Sequence, residues 1–226
     1  MGYRKSDRTH VQYRNKNGIR VAGVTTVIGV MDKSRFLVPW ANKLGLDGID
    51  SRTYVDSLAR AGTLLHYLVF ECDLPGIPAD PDYLMEFSGV DKNHADTGYI
   101  KYLDWKKGKD IKVVLTETPL VSEKHQYGGT LDALLDIDGV LTLVDGKTCK
   151  GIYGDADDKW TQLAGYDLLL EEHGYHPQAL FILRLGRDDT EGFEYLPMPK
   201  RDLHRQRFLK CRELYELNKI LNRKSA

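Results

Sequence analysis

The chain has 226 residues, of which 42% are apolar, 10% aromatic and 29% charged. This balance is typical of a globular protein and excludes a fibrous or a disordered class. The longest uncharged apolar-rich run, 21–31, has 11 residues, whereas a membrane span needs roughly 20, and the first residues lack the apolar core of a secretory signal. We therefore expect an intracellular, cytoplasmic protein without membrane contact.

The formal net charge of −1 hides an uneven distribution along the chain. Residues 1–20 carry six Lys and Arg against one Asp, and residues 200–226 carry nine against three acids. The two ends are therefore basic, and the middle holds about −12. Such a distribution suits a protein that contacts phosphates with its ends and holds cations at its centre. Solvated polar tails explain the charges equally well.

Hydrophobic periodicity and turn residues divide the chain into helices and strands. Its elements are predicted in this order: a hairpin turning at 15–18, a short helix through Phe36, Trp40 and Leu44, helices at 51–72 and 96–107, strands at 111–121, 129–137 and 140–148, a helix capped by Asp157 and ended by Gly174, strands at 178–185 and 193–196, and a basic helix at 200–221.

The order of helix, three strands, helix and strand predicts an α/β fold with a mixed central sheet. We expect a single domain over 1–226, with its core at about 50–197. The basic hairpin region 1–31 and the basic helix 200–222 would then be additions at the two ends of this core.

The dipeptide Asp138-Gly139 lies between two apolar-rich runs and is a strong hairpin signal. If these two residues form the turn, Ile137 faces Val140, and Asp132 faces Asp145 on the same side of the hairpin. Lys147 shares that side about 6.6 Å further along the strand. This prediction depends on the turn, because a slip of one residue would separate the two aspartates.

Two carboxylates opposed across a hairpin repel each other unless something compensates their charge. A divalent cation is the natural compensator, and Mg²⁺ is commonly held by one or two carboxylates together with water and phosphate oxygens. Lys147 could stabilise charge on a phosphate, or orient and deprotonate an attacking water. Asp132, Asp145 and Lys147 therefore indicate metal-assisted phosphodiester hydrolysis. The alternative is a surface hairpin whose charged residues are merely solvated.

Four short motifs in this chain resemble those of the PD-(D/E)XK nuclease superfamily, in its RecB-like exonuclease branch. The motifs are Gly62-x-x-x-His66, Gly129-x-x-Asp132, Asp145-x-Lys147-Thr148 and Gln162-x-x-x-Tyr166. The resemblance covers roughly 20–185 and implies a restriction-endonuclease-like αβββαβ core. It further implies that Asp132, Asp145 and His66 bind Mg²⁺ or Mn²⁺ and that Lys147 is the catalytic lysine.

The chain departs from this branch at two points. Gly146 stands between Asp145 and Lys147, where the branch more often has an aromatic or apolar residue. Some members carry four cysteines that hold an iron–sulfur cluster, whereas this chain has three, widely separated and without a CxxC spacing. We therefore expect no iron–sulfur cluster, no zinc knuckle and no disulfide framework.

Several supporting residues have a structural as well as a functional interpretation. His66 lies on the apolar stripe of its helix and could be a core histidine. Gln162 and Tyr166 share a helix face, where the amide could bind a phosphate or a carboxylate and the phenol could stack or donate; alternatively, they form a polar helix edge. Lys150 is a candidate for binding nucleic acid. Glu117 could be a third carboxylate but is left unassigned.

These expectations combine into a Mg²⁺- or Mn²⁺-dependent DNA nuclease, an exonuclease rather than an endonuclease, that acts in phage or bacterial recombination and repair. Two alternatives are a non-catalytic nucleic-acid-binding module on the same fold and a hydrolase of small phosphate esters. The direction of digestion, the choice between single strands and duplex ends, the number of metal ions and the oligomeric state stay open.

Overall fold

A mixed six-stranded sheet forms the centre of the protein. The computed structural model describes residues 11–31, 33–154 and 157–222. Its elements follow in chain order: β1 (Ala22–Gly23), α1 (Val24–Ile28), α2 (Ser34–Leu46), α3 (Ser51–His66), a π-helix (Tyr67–Asp73), α4 (Pro81–Met85), α5 (Gly89–Lys106), β2 (Ile111–Ser122), β3 (Tyr127–Ile137), β4 (Val140–Lys147), α6 (Asp158–Glu172), β5 (Ala179–Leu185), β6 (Phe193–Pro197) and α7 (Arg201–Leu221).

Strand β3 organises the sheet because it pairs with three other strands. Antiparallel β2 follows one of its edges from end to end. The other edge is shared, since parallel β1 pairs with Tyr127 and Gly128, and antiparallel β4 pairs with the stretch from Ala133 to Ile137. Beyond β4, the sheet continues with parallel β5 and antiparallel β6. Helix α6 connects the parallel strands β4 and β5.

The hairpin between β3 and β4 has the predicted turn and register. Asp138 and Gly139 have φ angles of 53° and 85°, as the central residues of a type I′ turn require. Ile137 pairs with Val140, and the ladder ends where Ala133 pairs with Val144. Asp132 and Asp145 therefore lie one step beyond the last paired residues. In the described part of the chain, 129–132 pairs with neither β1 nor β4 along this edge, which opens a fork in the sheet.

Two apolar cores cover the two faces of the sheet. The first contains α1 and α6 with Phe208 of α7, and the second contains α3, the π-helix and α5. Leu131 belongs to the first core, whereas Ala133 belongs to the second. Residues two apart normally share a face of a strand, so the alternation of β3 is interrupted at Asp132. The site residues thus lie at an irregularity in the sheet.

Most predicted elements are present, and the differences have local causes. The segment 51–72 is an α-helix only as far as His66 and continues as the π-helix. Helix α5 begins seven residues earlier than predicted because Ser88 and Asp91 form a capping box. The N-terminal hairpin is reduced to one bridge between Arg14 and Arg20. Predictions for 1–10 and 223–226 lie outside the described residues.

Two further sequence expectations concern α6 and membrane contact. The Asp157 side chain caps α6 as predicted, by accepting a hydrogen bond from the Lys159 amide. Within the described ranges, no helix combines the length and the apolar character that crossing a membrane requires. The six-stranded mixed sheet and the helices around it confirm the predicted mixed α/β class.

The packing of α3 against α5 yields a first prediction. A Cβ atom at Gly98 would overlap the buried Leu65 side chain and lie 3.1 Å from the Gly186 carbonyl oxygen. We expect Gly98→Ala to lower the free energy of unfolding by about 1–3 kcal/mol, the usual cost of overpacking. Chemical denaturation measures this change. Gly89→Ala is the control, because that position of the same helix is open; equal stability of the two variants would contradict the packing.

Candidate metal centre

His66, the last residue of α3, lies between two carboxylates from the sheet. Its Nε2 atom is 3.1 Å from Oε1 of Glu117 and 3.2 Å from Oδ1 of Asp132. The imidazole side chain is 23% exposed and its ring packs against Phe70 at a centroid distance of 4.9 Å. The histidine is therefore partly open to solvent and faces acidic groups on β2 and β3.

The π-helix brings a further carboxylate, that of Glu71, to the same histidine. Residues five apart in an α-helix are turned by about 140° around the axis, whereas the i→i+5 hydrogen bond of a π-helix places them one turn apart on the same side. Oε1 of Glu71 is accordingly 3.9 Å from Nδ1 of His66. Ligand atoms of His66, Glu71 and Glu117 all lie within 4.8 Å of one another. Sequence periodicity did not predict Glu71, because it assumes a regular α-helix.

Glu117 joins this cluster through an irregular turn of β2. Thr116 pairs with Ala133 and Thr118 with Leu131, so Glu117 stands opposite Asp132. Its φ of 45° is left-handed, a strained conformation for a residue with a Cβ. The short connection 123–126 sets this register. Counting residues back across this connection from Asp132 predicts Glu117 as its partner. It does not predict the left-handed backbone conformation of Glu117.

Asp132 and Asp145 meet at the fork between β3 and β4. Oδ2 of Asp132 accepts a hydrogen bond of 2.7 Å from the Gly146 amide. The Asp145 side chain is only 1% exposed, and its Oδ2 atom is 2.5 Å from Nζ of Lys147. Among the described residues, Oδ1 of Asp145 has no hydrogen-bond partner. A buried carboxylate oxygen without a partner is costly and is available to a cation.

The three charged groups perturb one another's protonation. Burial raises the pKa of Asp145 to about 6, and the charge of Asp132 adds to this rise while Lys147 opposes it. Burial would also raise the pKa of Asp132, but His66, Lys147 and the Gly146 amide together hold it below its usual value. Burial would lower the pKa of Lys147, yet the two aspartates raise it. Lys147 is therefore an ammonium ion at neutral pH.

Small residues allow the helices to approach this fork. A Cβ at Gly146 would overlap the ring of Phe70 from the π-helix, which accounts for the glycine between Asp145 and Lys147. A Cβ at Gly62 would lie 3.3 Å from Cβ of Thr148, so α3 packs closely against the end of β4. An open cleft of about 340 Å³ is lined by Ala59, Gly62, Thr63, His66, Phe70, Gly146, Thr148 and Leu185.

The structure brings His66, Asp132, Asp145 and Lys147 together. The residues predicted to bind nucleic acid, Gln162, Tyr166 and Lys150, lie in different surroundings. Nε2 of Gln162 donates to the Tyr166 hydroxyl over 3.0 Å. Tyr166 is only 5% exposed within the first core, so of its two predicted roles the burial disfavours stacking on a base and leaves donation by its hydroxyl as a prediction. Burial raises its pKa, and the charges of Asp145 and Asp132 raise it further; its hydroxyl therefore lies near the carboxylates.

Lys150 and Trp160 follow the site along the chain. Lys150 is exposed beyond β4, and its carbonyl accepts a hydrogen bond from the buried Arg184 guanidinium. Its ammonium group makes no contact with the site within the part of the chain that the structure describes. Trp160 is buried in the first core, and its ring N–H donates to the Gly154 carbonyl. Trp160 is therefore a core residue, and Lys150 stays a prediction.

Comparison with known proteins gives a likeness of fold. No protein-family model matches the chain, and no curated protein matches it by sequence. A crystal structure from Eubacterium rectale, described as a "putative exonuclease", matches with a TM-score of 0.51 at 15% identity. The match covers 73% of this chain and 66% of that one. At this identity the likeness concerns the fold alone.

A second solved structure, that of SSO0001, is less similar. It matches at 13% identity over 73% of this chain and 74% of that chain, but its TM-score of 0.34 is too low to support an argument. The class that the structure defines is thus a mixed α/β protein with a fold similar to that of the Eubacterium rectale protein. An acidic cluster lies at the fork of its sheet.

The raised pKa of Asp145 predicts a pH dependence of stability in metal-free protein. A folded-state pKa of about 6 against an ordinary value of 3.8 means that the folded state binds the proton more tightly. This stabilisation of the folded state is at most about 3 kcal/mol. It is fully present below about pH 4 and is lost as the pH rises through 6. Denaturation in EDTA at pH 4.5 and 7.5 measures it.

The matched variant for this measurement is Asp145→Asn, which cannot titrate at this position. As the pH rises, we expect the unfolding free energy of the wild type to fall relative to that of Asp145→Asn. A constant difference across this range would show that Asp145 titrates as an ordinary aspartate.

Proposed function

We propose that this protein is a divalent-metal-dependent DNA nuclease of the PD-(D/E)XK type, with a restriction-endonuclease-like core. The observation that carries the proposal is the convergence of His66, Asp132, Asp145 and Lys147 at the fork between β3 and β4. The Eubacterium rectale protein of similar fold is described as a "putative exonuclease", and exonuclease activity of this chain is part of our proposal. Action on DNA in bacterial or phage recombination and repair, within the cytoplasm, is part of the same proposal.

The donor set fits Mg²⁺ or Mn²⁺. Carboxylate oxygens are the preferred ligands of Mg²⁺, and imidazole is also compatible with transition-metal ions. Oδ1 of Asp145 is buried without a hydrogen-bond partner among the described residues, which is the condition expected of a ligand atom. His66, Asp132 and Asp145 would hold the ion, with Glu117 beside them. A bound ion would supply polarisation of the phosphate and a lower pKa for an attacking water.

Lys147 contributes positive charge to the reaction rather than a base. Its pKa lies above the usual value because Asp145 and Asp132 outweigh the effect of burial. An ammonium ion beside the cleft would stabilise negative charge that grows on the phosphate oxygens. Of the two roles that the sequence allows for this lysine, charge stabilisation is therefore the one that we propose. Gln162 and Tyr166 form a hydrogen-bonded pair, with the Tyr166 hydroxyl near these carboxylates.

A digestion assay on DNA of different topology tests the proposal. We expect the wild type with Mn²⁺ to degrade end-labelled linear DNA, to leave closed circles intact and to lose activity in EDTA. Lys147→Gln, which keeps a hydrogen-bond donor but removes the charge, should slow cleavage by about 100-fold or more. Thermal unfolding with Mn²⁺ verifies that this variant is folded.

The control in this assay is Lys112→Ala, which removes an exposed lysine of β2 that pairs with Asp110, just before the strand. It should cleave at the wild-type rate. Cleavage by Lys147→Gln at that rate, or hydrolysis that persists in EDTA, would contradict the mechanism. Digestion of closed circles would contradict exonuclease activity while leaving a nuclease in place. Binding of DNA without any hydrolysis would favour a non-catalytic module.

Removal of one carboxylate should weaken metal binding without unfolding the protein. Asp132→Asn keeps an oxygen for the Gly146 amide but removes one of two neighbouring negative charges. We expect at least a tenfold loss of Mn²⁺ affinity in calorimetric titration, because the ligand charge falls. Thermal unfolding without metal verifies that this variant is folded. Asp104→Asn, at an exposed aspartate, is the control; identical Mn²⁺ affinities would remove Asp132 from the site.

A further inference from the structure

A second concave surface lies between the N-terminal hairpin, the start of α1 and the last turns of α7. We call it the hairpin groove. Its volume is about 540 Å³, and it is lined by Val11, Tyr13, Arg20, Val21, Ala22, Gly23, Thr25, Thr26, Tyr215 and Lys219. The proposed nuclease site includes none of these residues.

The hairpin groove carries positive charge and no acidic lining residue. Arg20 is exposed, and within the described residues its guanidinium forms no ion pair. The nearest carboxylate to Lys219 is that of Glu216, at 3.9 Å, and the same oxygen is bound by Arg212 at 2.9 Å. Both lining cations are therefore available to an anionic ligand, although the chain as a whole is nearly neutral.

Two arginines at the start of α7 do not have this freedom. Arg201 and Arg205 bind the fully buried Asp167 at 2.7 and 2.8 Å, so they hold α7 against α6. Lys219 lies instead toward the C-terminal end of α7, at the hairpin groove. The first turns of this helix thus use their arginines for packing, whereas its last turns offer a cation to a ligand.

Strand β3 links the hairpin groove to the metal centre. The Tyr13 hydroxyl is hydrogen-bonded to Oγ1 of Thr130 over 3.0 Å, and the Tyr13 ring covers Gly128, where a side chain would overlap it. Gly128 and Asp132 are four residues apart on β3, which corresponds to about 13 Å along the strand. A stacked strand of nucleic acid covers this distance in about four nucleotides.

We propose that the hairpin groove binds the phosphodiester backbone of the nucleic-acid strand whose reacting phosphate lies at the metal centre. This inference rests on the proposed function and adds a route for the substrate. Arg20 and Lys219 contact backbone phosphates, and the exposed hydroxyls of Thr25 and Thr26 donate hydrogen bonds to them. A ligand with a single phosphate would fill only one end of this path, so a polymer is the class of ligand that matches its length.

Binding of single-stranded oligonucleotides of 4 and 20 nucleotides tests this route. Fluorescence anisotropy is measured in EDTA, so that no strand is cleaved. Arg20→Ala/Lys219→Ala should bind the 20-nucleotide strand at least tenfold more weakly than the wild type. The slope of log affinity against log salt concentration should fall by about 1.4, because each lost phosphate contact on a single strand contributes about 0.7. The wild type should bind the 4-nucleotide strand more weakly than the 20-nucleotide strand, because the short strand occupies only part of the path.

The control is Lys107→Ala/Lys210→Ala, which removes the same net charge at two highly exposed lysines away from the groove. It should bind both strands within twofold of the wild type. Equal affinities of the two double variants for the long strand would overturn the inference, as would equal wild-type affinities for the two strand lengths. Cleavage with Mn²⁺ is measured in parallel. If the wild type never cleaves but its long-strand affinity still depends on Arg20 and Lys219, the groove stands and the proposed nuclease fails.

Discussion

Burial of like charges at one point of the sheet is the constraint around which this protein is arranged. Asp145 is almost fully buried beside Asp132, and its pKa is raised to about 6. Lys147 offsets part of that cost at 2.5 Å, yet one oxygen of Asp145 has no hydrogen-bond partner among the described residues. A fold selected only for stability would place apolar residues there. The retained charges are consistent with a site for a cation.

The backbone around these charges departs from regular geometry in ways that serve the cluster. The β3–β4 ladder stops one residue before the two aspartates, while Asp145 stays paired with Ile182 of β5 on the other edge of β4. Glu117 has a left-handed backbone conformation opposite Asp132, and the helix that carries His66 widens into a π-helix that brings Glu71 back to the histidine. Three irregularities in three elements converge on one place, which is typical of functional sites rather than of structural cores.

Sequence reasoning succeeded where chemistry is local. The turn at Asp138-Gly139 depends on two residues that tolerate positive φ, and its register then follows from a period of two. The cap at Asp157 is equally local. From such elements, the mixed sheet and the proximity of Asp132, Asp145 and Lys147 could be predicted before any coordinates.

The rest of the site depends on tertiary packing, which periodicity does not encode. Glu71 reaches His66 only because the α-helix becomes a π-helix, and Glu117 reaches Asp132 only through a strained residue of β2. Tyr166 looks like a surface residue beside Gln162, yet α6 is buried on more than one side, so its ring lies in the core. A helix covered both by the sheet and by α7 has no polar face to reveal its orientation.

Charge counting along the chain shows the same limit. The last 27 residues are basic in sequence, but the buried Asp167 occupies Arg201 and Arg205. Their charges therefore stabilise packing and contribute little to the field that a ligand meets. Lys219 and Arg20 come from opposite ends of the chain and line one groove, although nothing in their sequence neighbourhoods relates them. The pairing of a charge with its partner, rather than the number of charges, thus decides which basic residues can bind a polyanion.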